Sequence, residues 1–128
     1  MILRKKIEGV QRRALRCVKG FKDLDYKERL NKSGMVTLKE RRQKYDLVQA
    51  YRSLENGEIK FEKVNERHNI NTRSAENEKL VKEKNRTNVR QHYFSNRIVN
   101  DWNDLPLEVR SAENVHSFKR QLKMLYGF

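Results

Sequence analysis

Apolar residues recur in the first segment at alternating helical spacings: Leu3, Ile7, Val10, Ala14 and Val18. That rhythm predicts an amphipathic helix, and Gly20 is placed to end it. Asp25 and Glu28 stand at capping-box spacing, with Gly34 following, so a short second helix is expected between them. Thr37 and Glu40 repeat the arrangement at the mouth of a third helix, expected from Leu38 to about Glu55. Its predicted inner face carries Leu38, Tyr45, Val48 and Tyr51, flanked by Leu47 and Leu54, with Asn56-Gly57 as the stop.

From Glu62 to His92 the periodicity fails. Val64, Ile70, Leu80, Val81 and Val89 are too sparse for a continuous apolar face. The segment reads as a mobile or partner-ordered arm, with short extended pieces allowed near Lys79–Val81 and a helical turn near Phe61–Val64. Order returns with Phe94, Ile98, Trp102 and Leu105, one helical stripe. Pro106 disfavours the α conformation at Leu105, so that helix should stop just before it. Trp102 and Pro106 together would set the angle at which a last helix returns to the core. That helix is expected after Asn114, a fair N-cap, with Val115, Phe118, Leu122 and Leu125 inward. Tyr126 and Phe128 are terminal aromatics with the means to dock.

The pattern therefore predicts an all-α fold, a small irregular domain of about five helices with a long mobile loop at about 62–92. At 128 residues one domain is expected. Its parts would be a basic helical part (1–57), the loop or arm (58–92), and the Trp-Pro helix with the terminal helix (93–128). Structural anchors are read as Tyr26, Leu30, Leu38, Tyr51, Phe94, Trp102, Leu105, Pro106, Phe118 and Leu122.

Composition sharpens this picture. The apolar share is 36%, and charged residues make up 37% against a usual ~25%. The core will be small and needs large anchors such as Trp102, which buries on the order of 200 Å². The formal net charge is +13. A compact chain this basic repels itself, and a polyanion relieves the repulsion, so nucleic acid is the first candidate partner and an anionic membrane surface the second. Around the first apolar stripe lie Arg4, Lys5, Lys6, Arg12, Arg13, Arg16 and Lys19, opposed only by Glu8.

Cys17 is the sole cysteine, so no internal disulfide forms and a reducing, intracellular compartment is expected. The opening Met-Ile-Leu-Arg-Lys-Lys is far short of a signal sequence, and no run approaches ~18 apolar residues. Without a secretion signal, the triplets Asn31-Lys32-Ser33 and Asn85-Arg86-Thr87 read as chance matches to the glycosylation pattern.

Candidate catalytic chemistry is sparse. His68, His92 and His116 are scattered, without metal-ligand spacing to one another or to Cys17. There is no Gly-rich phosphate loop and no Gly-x-Ser-x-Gly. Asp23 and Asp25 read as helix-entry residues, Asp101 and Asp104 as surface charge. Helices two and three, joined by a Gly-bearing turn, have a helix-turn-helix outline with Lys39, Arg41 and Arg42 leading the second helix. Any two capped helices give that outline.

Several pieces, in order, carry a resemblance. They are Gln11-Arg12-Arg13-Ala14, Leu24, Tyr26, Arg29-Leu30, Leu38, Arg41-Arg42, Asp46-Leu47, Tyr51 and Asn56-Gly57. Later come Thr72-Arg73, Arg86-Thr87-Asn88, Phe94-Ser95, Arg97, Trp102-Asn103, Leu105-Pro106 and Ser117-Phe118-Lys119. Their order resembles the carboxyl-terminal tail of non-LTR (LINE-type) retrotransposon reverse transcriptases, best the jockey-like and chicken-repeat-like clades. The most specific pieces are "VNDWNDLP" and "SFKRQL". In that family the tail follows the fingers, palm and thumb of an enzyme that copies element RNA into DNA at a nicked target.

The palm motif with its paired aspartates is absent here, so the resemblance implies ancestry and nucleic-acid contact rather than polymerase activity. Met1 falls where the family's chain leaves the thumb, so the chain resembles a fragment, an isolated domain or a domesticated remnant. The thumb then becomes a candidate partner for the first apolar stripe, leaving Leu3, Ile7 and Val10 partly exposed in this chain.

The expectation is a non-catalytic accessory domain, intracellular and nuclear, that binds an RNA or DNA backbone. Arg12, Arg13, Arg16, Arg41, Arg42 and Lys44 would contact phosphates, with Arg73, Lys82, Lys84, Arg86 and Arg90 on the arm ordering against the strand. No cofactor, metal, membrane or small-molecule substrate is expected. The alternative is a docking or scaffold module that packs on a reverse transcriptase core or on a second copy of itself.

Overall fold

The computed structural model describes residues 2–63, 79–84 and 86–127. The fold is all-α, with seven helices among the described residues. They are α1 (Ile2–Arg16), α2 (Tyr26–Ser33), α3 (Leu38–Asn56), α4 (Asn88–Gln91), α5 (Phe94–Asn103), α6 (Leu107–Arg110) and α7 (Val115–Tyr126). Two of them, α4 and α6, are single turns that the apolar rhythm did not announce; four residues are too few to show a period. The contacts divide the chain into one compact unit that ends at Arg42 and another from Gln43 to Gly127.

The first unit contains α1, α2 and the entry of α3. Both of its expected capping boxes form. Asp25 caps α2 while the Glu28 carboxylate accepts the Asp25 N–H at 2.8 Å. The Glu40 carboxylate accepts the Thr37 N–H at 2.9 Å, and the Thr37 hydroxyl accepts the Glu40 N–H at 3.2 Å. Gly34 ends α2 in the left-handed conformation, at φ 66°, where a β-carbon would be strained. The small core is Leu15, Phe21 and Leu30, with Leu24, Tyr26 and Met35 packed against it.

The inward face of α1 is not its apolar stripe, whose partial exposure is the expectation if the stripe has an outside partner. Leu3 is 70% exposed, Ile7 44% and Val10 58%. The buried residues are Gln11 and Leu15, with Glu8 half-buried beside them. The cause is polar: Glu8 and Gln11 anchor α1 to the start of α2 and to the entry of α3 by hydrogen bonds, and those bonds choose the face. Val18 lies beyond the helix and is exposed.

The second unit is built on the C-terminal part of α3, on α5 and on α7. Its core contains Leu47, Val48, Ala50, Tyr51, Leu80, Ile98, Val99, Trp102, Leu105, Val109, Phe118 and Leu122. Phe118 lies between two other aromatics. Its ring stacks on Tyr51 at 4.5 Å between centroids and sits 5.8 Å from Trp102, which ties α3, α5 and α7 together. Tyr51 also donates its hydroxyl proton to the Ala112 carbonyl. On α3 the buried arc is Leu47, Val48, Ala50, Tyr51 and half-buried Leu54, so Val48 and Tyr51 face inward as expected while Tyr45, expected inside, is 66% exposed. At ~100° per residue Tyr45 lies about 160° around the helix from Leu47.

After Trp102, α5 stops at Asn103 and Leu105 turns inward, as the proline requires. Pro106 itself is exposed and opens α6 at φ −57°, so one further helical turn separates it from the last helix. Asn114 caps α7 by accepting the Ser117 N–H at 2.9 Å. Leu125, expected inside, is exposed, as are Met124 and Tyr126; the core is already closed by Phe118 and Leu122, both fully buried. Phe128 lies outside the described residues.

Of the loop expected at about 62–92, residues 64–78 and 85 lie outside the described residues. The rest is partly built into the core. Leu80 is buried, and Lys63 pairs with it in an isolated antiparallel bridge. The Val81 N–H donates to the Glu62 carbonyl at 2.8 Å. Phe61–Lys63 is therefore not helical, contrary to the allowed turn, because its backbone partners Lys79–Val81 instead. Asn103 secures the pairing: its side-chain amide donates to the Leu80 carbonyl at 2.9 Å and accepts the Leu80 N–H at 2.8 Å.

Candidate nucleic-acid interface

Around α1 three arcs separate at ~100° per residue, each about 100–130° from the next. Glu8, Gln11 and Leu15 face inward. Leu3, Ile7, Val10 and Ala14 form an exposed apolar arc. Lys5, Lys6, Arg12, Arg13 and Arg16 form the third, and all five are exposed. The structure thus brings three predicted contact residues, Arg12, Arg13 and Arg16, onto one face. Arg12 is also packed, with its guanidinium 4.7 Å from the centre of the Tyr26 ring.

The inward arc explains that placement. Tyr26 donates its hydroxyl proton to the Glu8 carboxylate. Gln11 donates through Nε2 to the Tyr26 hydroxyl at 3.3 Å and to the Val36 carbonyl at 3.0 Å. The second Glu8 oxygen accepts the Leu38 N–H at 3.1 Å. Burial, then the Glu8 carboxylate, push the Tyr26 pKa up to about 12. Below it Arg29 is buried and donates to the Phe21 carbonyl at 2.8 Å and to the Lys22 carbonyl at 3.0 Å. Sequence reasoning left Glu8 as the lone acid of a basic helix; its structural use follows from its place on the Gln11–Leu15 face.

At the entry of α3, Arg42 and Lys39 are exposed while Arg41 is half-buried. Lys44 is half-buried and engaged. Arg73 lies outside the described residues.

In the second unit Lys82, Lys84, Arg86 and Arg90 are all exposed. Arg90 and Glu83 form a loose ion pair at 4.0 Å, each side chain 65% exposed. Beside them an open groove of about 350 Å³ is lined by Glu83, Thr87, Val89, Arg90, Tyr93, Ser95 and Asn96. Tyr93 is 58% exposed. Sequence reasoning missed this groove. The available signal was an aromatic one position off the Phe94–Ile98–Trp102 stripe, directly after a basic segment.

Five carboxylates have structural uses. Glu8, Asp25, Glu28 and Glu40 cap or tie helices, and Asp46 pairs with Arg97. Most described lysines and arginines are exposed, as are further carboxylates such as Asp23, Glu58, Glu108 and Glu113. Among the described residues no group of three or more His, Cys, Asp or Glu is placed to hold a metal ion, and no helix is long and apolar enough to cross a membrane. Comparison with protein families, with curated proteins and with solved structures finds no match for the chain.

Proposed function

We propose that the chain is a non-catalytic nucleic-acid-binding accessory domain, a remnant or fragment of a non-LTR retrotransposon reverse transcriptase that works in the nucleus. One observation carries the binding: Lys5, Lys6, Arg13 and Arg16 share a solvent-facing arc of α1, while the helix's one acid, Glu8, is turned inward and hydrogen-bonded. A surface so sorted presents a stronger positive field than the net charge of +13 spread evenly would give. The ordered motifs from Gln11-Arg12-Arg13 to Ser117-Phe118-Lys119 support the ancestry. Phosphate contacts of this kind hold the polymer in place and carry no base information.

Filter binding against RNA and DNA tests the reading. With ~6 phosphate contacts, affinity falls roughly 10³-fold between 50 and 200 mM salt. Arg13→Glu with Arg16→Glu lowers both the affinity and the salt slope. Binding without salt dependence, or none at all, refutes the proposal.

The exposed arc Leu3, Ile7 and Val10 favours a second reading, a docking module for a reverse transcriptase core or a second copy. Sedimentation of the chain beside its Ile7→Asp and Val10→Asp variants decides whether that arc self-associates. A monomer indifferent to both changes counts against self-docking.

A further inference from the structure

The groove beside Tyr93 has features that phosphate binding alone does not call for. Its lining combines an exposed aromatic, Tyr93, a cation, Arg90, and the small polar side chains Thr87 and Ser95. Asn96 is 3% exposed and fixes one wall, donating through Nδ2 to the Arg90 carbonyl at 2.9 Å. That bond ties α4 to α5. The Tyr93 carbonyl accepts the N–H groups of Asn96 and Arg97, both at 3.0 Å, so its backbone is fixed while its ring remains in solvent. The Tyr93 hydroxyl has no hydrogen-bond partner among the described residues, whereas those of Tyr26 and Tyr51 are engaged.

An exposed ring beside cations is the arrangement that stacks a base while a neighbouring charge takes the phosphate. A duplex cannot use it: its bases are already stacked, and reading them needs an element that enters a groove ~12 Å wide. Here α4 is a single turn, about 6 Å long at 1.5 Å per residue. A volume of about 350 Å³ suits a small planar ligand, near the lower end of ~300–1,000 Å³ ligand sites.

We propose that this groove holds one unpaired nucleotide of a single-stranded nucleic acid, its base stacked on Tyr93 and its phosphate on Arg90, with Glu83 as the competitor the phosphate displaces. The proposal rests on the nucleic-acid reading and names the form of the polymer. Glu83 is suited to that role because its ion pair with Arg90 is long and solvent-screened, and such pairs are weak. Binding would exchange one anion for another at Arg90 and leave the cation paired throughout.

The test is fluorescence anisotropy on the full chain with three labelled probes: oligothymidine about ten nucleotides long, an abasic strand of equal length and charge, and the matching duplex. Oligothymidine should bind about tenfold or more tightly than the abasic strand. Tyr93→Ala should erase that preference, Tyr93→Phe should keep it, and circular dichroism should show both variants folded, since the ring is exposed. Glu83→Gln should tighten oligothymidine binding about two- to fivefold by freeing Arg90. Equal affinity for oligothymidine and the abasic strand, or a Tyr93→Ala chain that still discriminates, overturns the groove while leaving backbone binding in place. Failure to bind any of the three probes overturns both.

Discussion

The Arg97 guanidinium holds the Asp46 carboxylate with two hydrogen bonds, Nε to Oδ2 at 3.0 Å and Nη2 to Oδ1 at 2.8 Å, and so joins α5 to α3. Two-point pairing of this kind depends on a planar fork. Arg97→Lys keeps the charge and should still lose about 0.5–1 kcal/mol, a range limited by solvent around the arginine. Urea titration at low and high salt checks this: the wild type loses more stability with salt than the variant does. Equal stability of the two chains would show that charge alone suffices.

A larger loss is expected at the aromatic centre. Trp102 and Phe118 are both buried, and neighbouring rings pack against each other there. Trp102→Ala should cost about 3–5 kcal/mol, and Trp102→Phe less, because it retains a ring. Denaturation followed by circular dichroism compares them without needing tryptophan fluorescence. A loss below 1 kcal/mol for alanine would mean the core does not depend on this ring.

The two faces of α1 make opposite predictions. Leu15→Ala should cost about 2–4 kcal/mol, since Leu15 is buried with Phe21 and Leu30. Ile7→Ala should stay within about 0.5 kcal/mol, because its side chain already meets solvent. Thermal melts of the two variants, side by side, read the orientation of the helix. Reversed effects would mean that the apolar arc, and not Gln11 and Leu15, faces the core.

Alkaline pH addresses the polar tie. Burial first and a neighbouring carboxylate second push the pKa values of Tyr26 and Tyr51 up to about 12, from an ordinary 10.0. The unfolded chain therefore releases these protons first. Their contribution to stability is complete below about pH 10 and disappears as pH rises to about 12. Urea midpoints across that window should fall less steeply in Tyr26→Phe and Tyr51→Phe than in the wild type. Identical slopes would show that neither hydroxyl is held in its protonated form.

What the sequence made legible was local. Asp25 with Glu28, Thr37 with Glu40, Asn114 and Pro106 act within a few residues of themselves, and the helix ends fall where those residues direct. The placement of faces was harder to read. Leu3, Ile7 and Val10 form a better apolar stripe than Gln11 and Leu15, yet hydrogen bonds from Glu8 and Gln11 to residues far along the chain choose the inward face. Tyr45 was misplaced for a related reason: Leu38 and Tyr45 share a side of α3, but the core of the second unit takes the opposite side. The basic residues of α1 could be counted in advance; their gathering into one arc followed only once Glu8 was seen turned inward. The groove beside Tyr93 was hidden because it depends on α4, a turn with no period of its own.

Asn103 makes one side chain do the work of a neighbouring strand, gripping both the N–H and the carbonyl of Leu80. Both grips share a single rotatable arm, so they let go together. Deuterium uptake at the Leu80 amide would thus time the opening of this one side-chain clamp, while the Val81 amide, held by the Glu62 carbonyl, keeps its own clock.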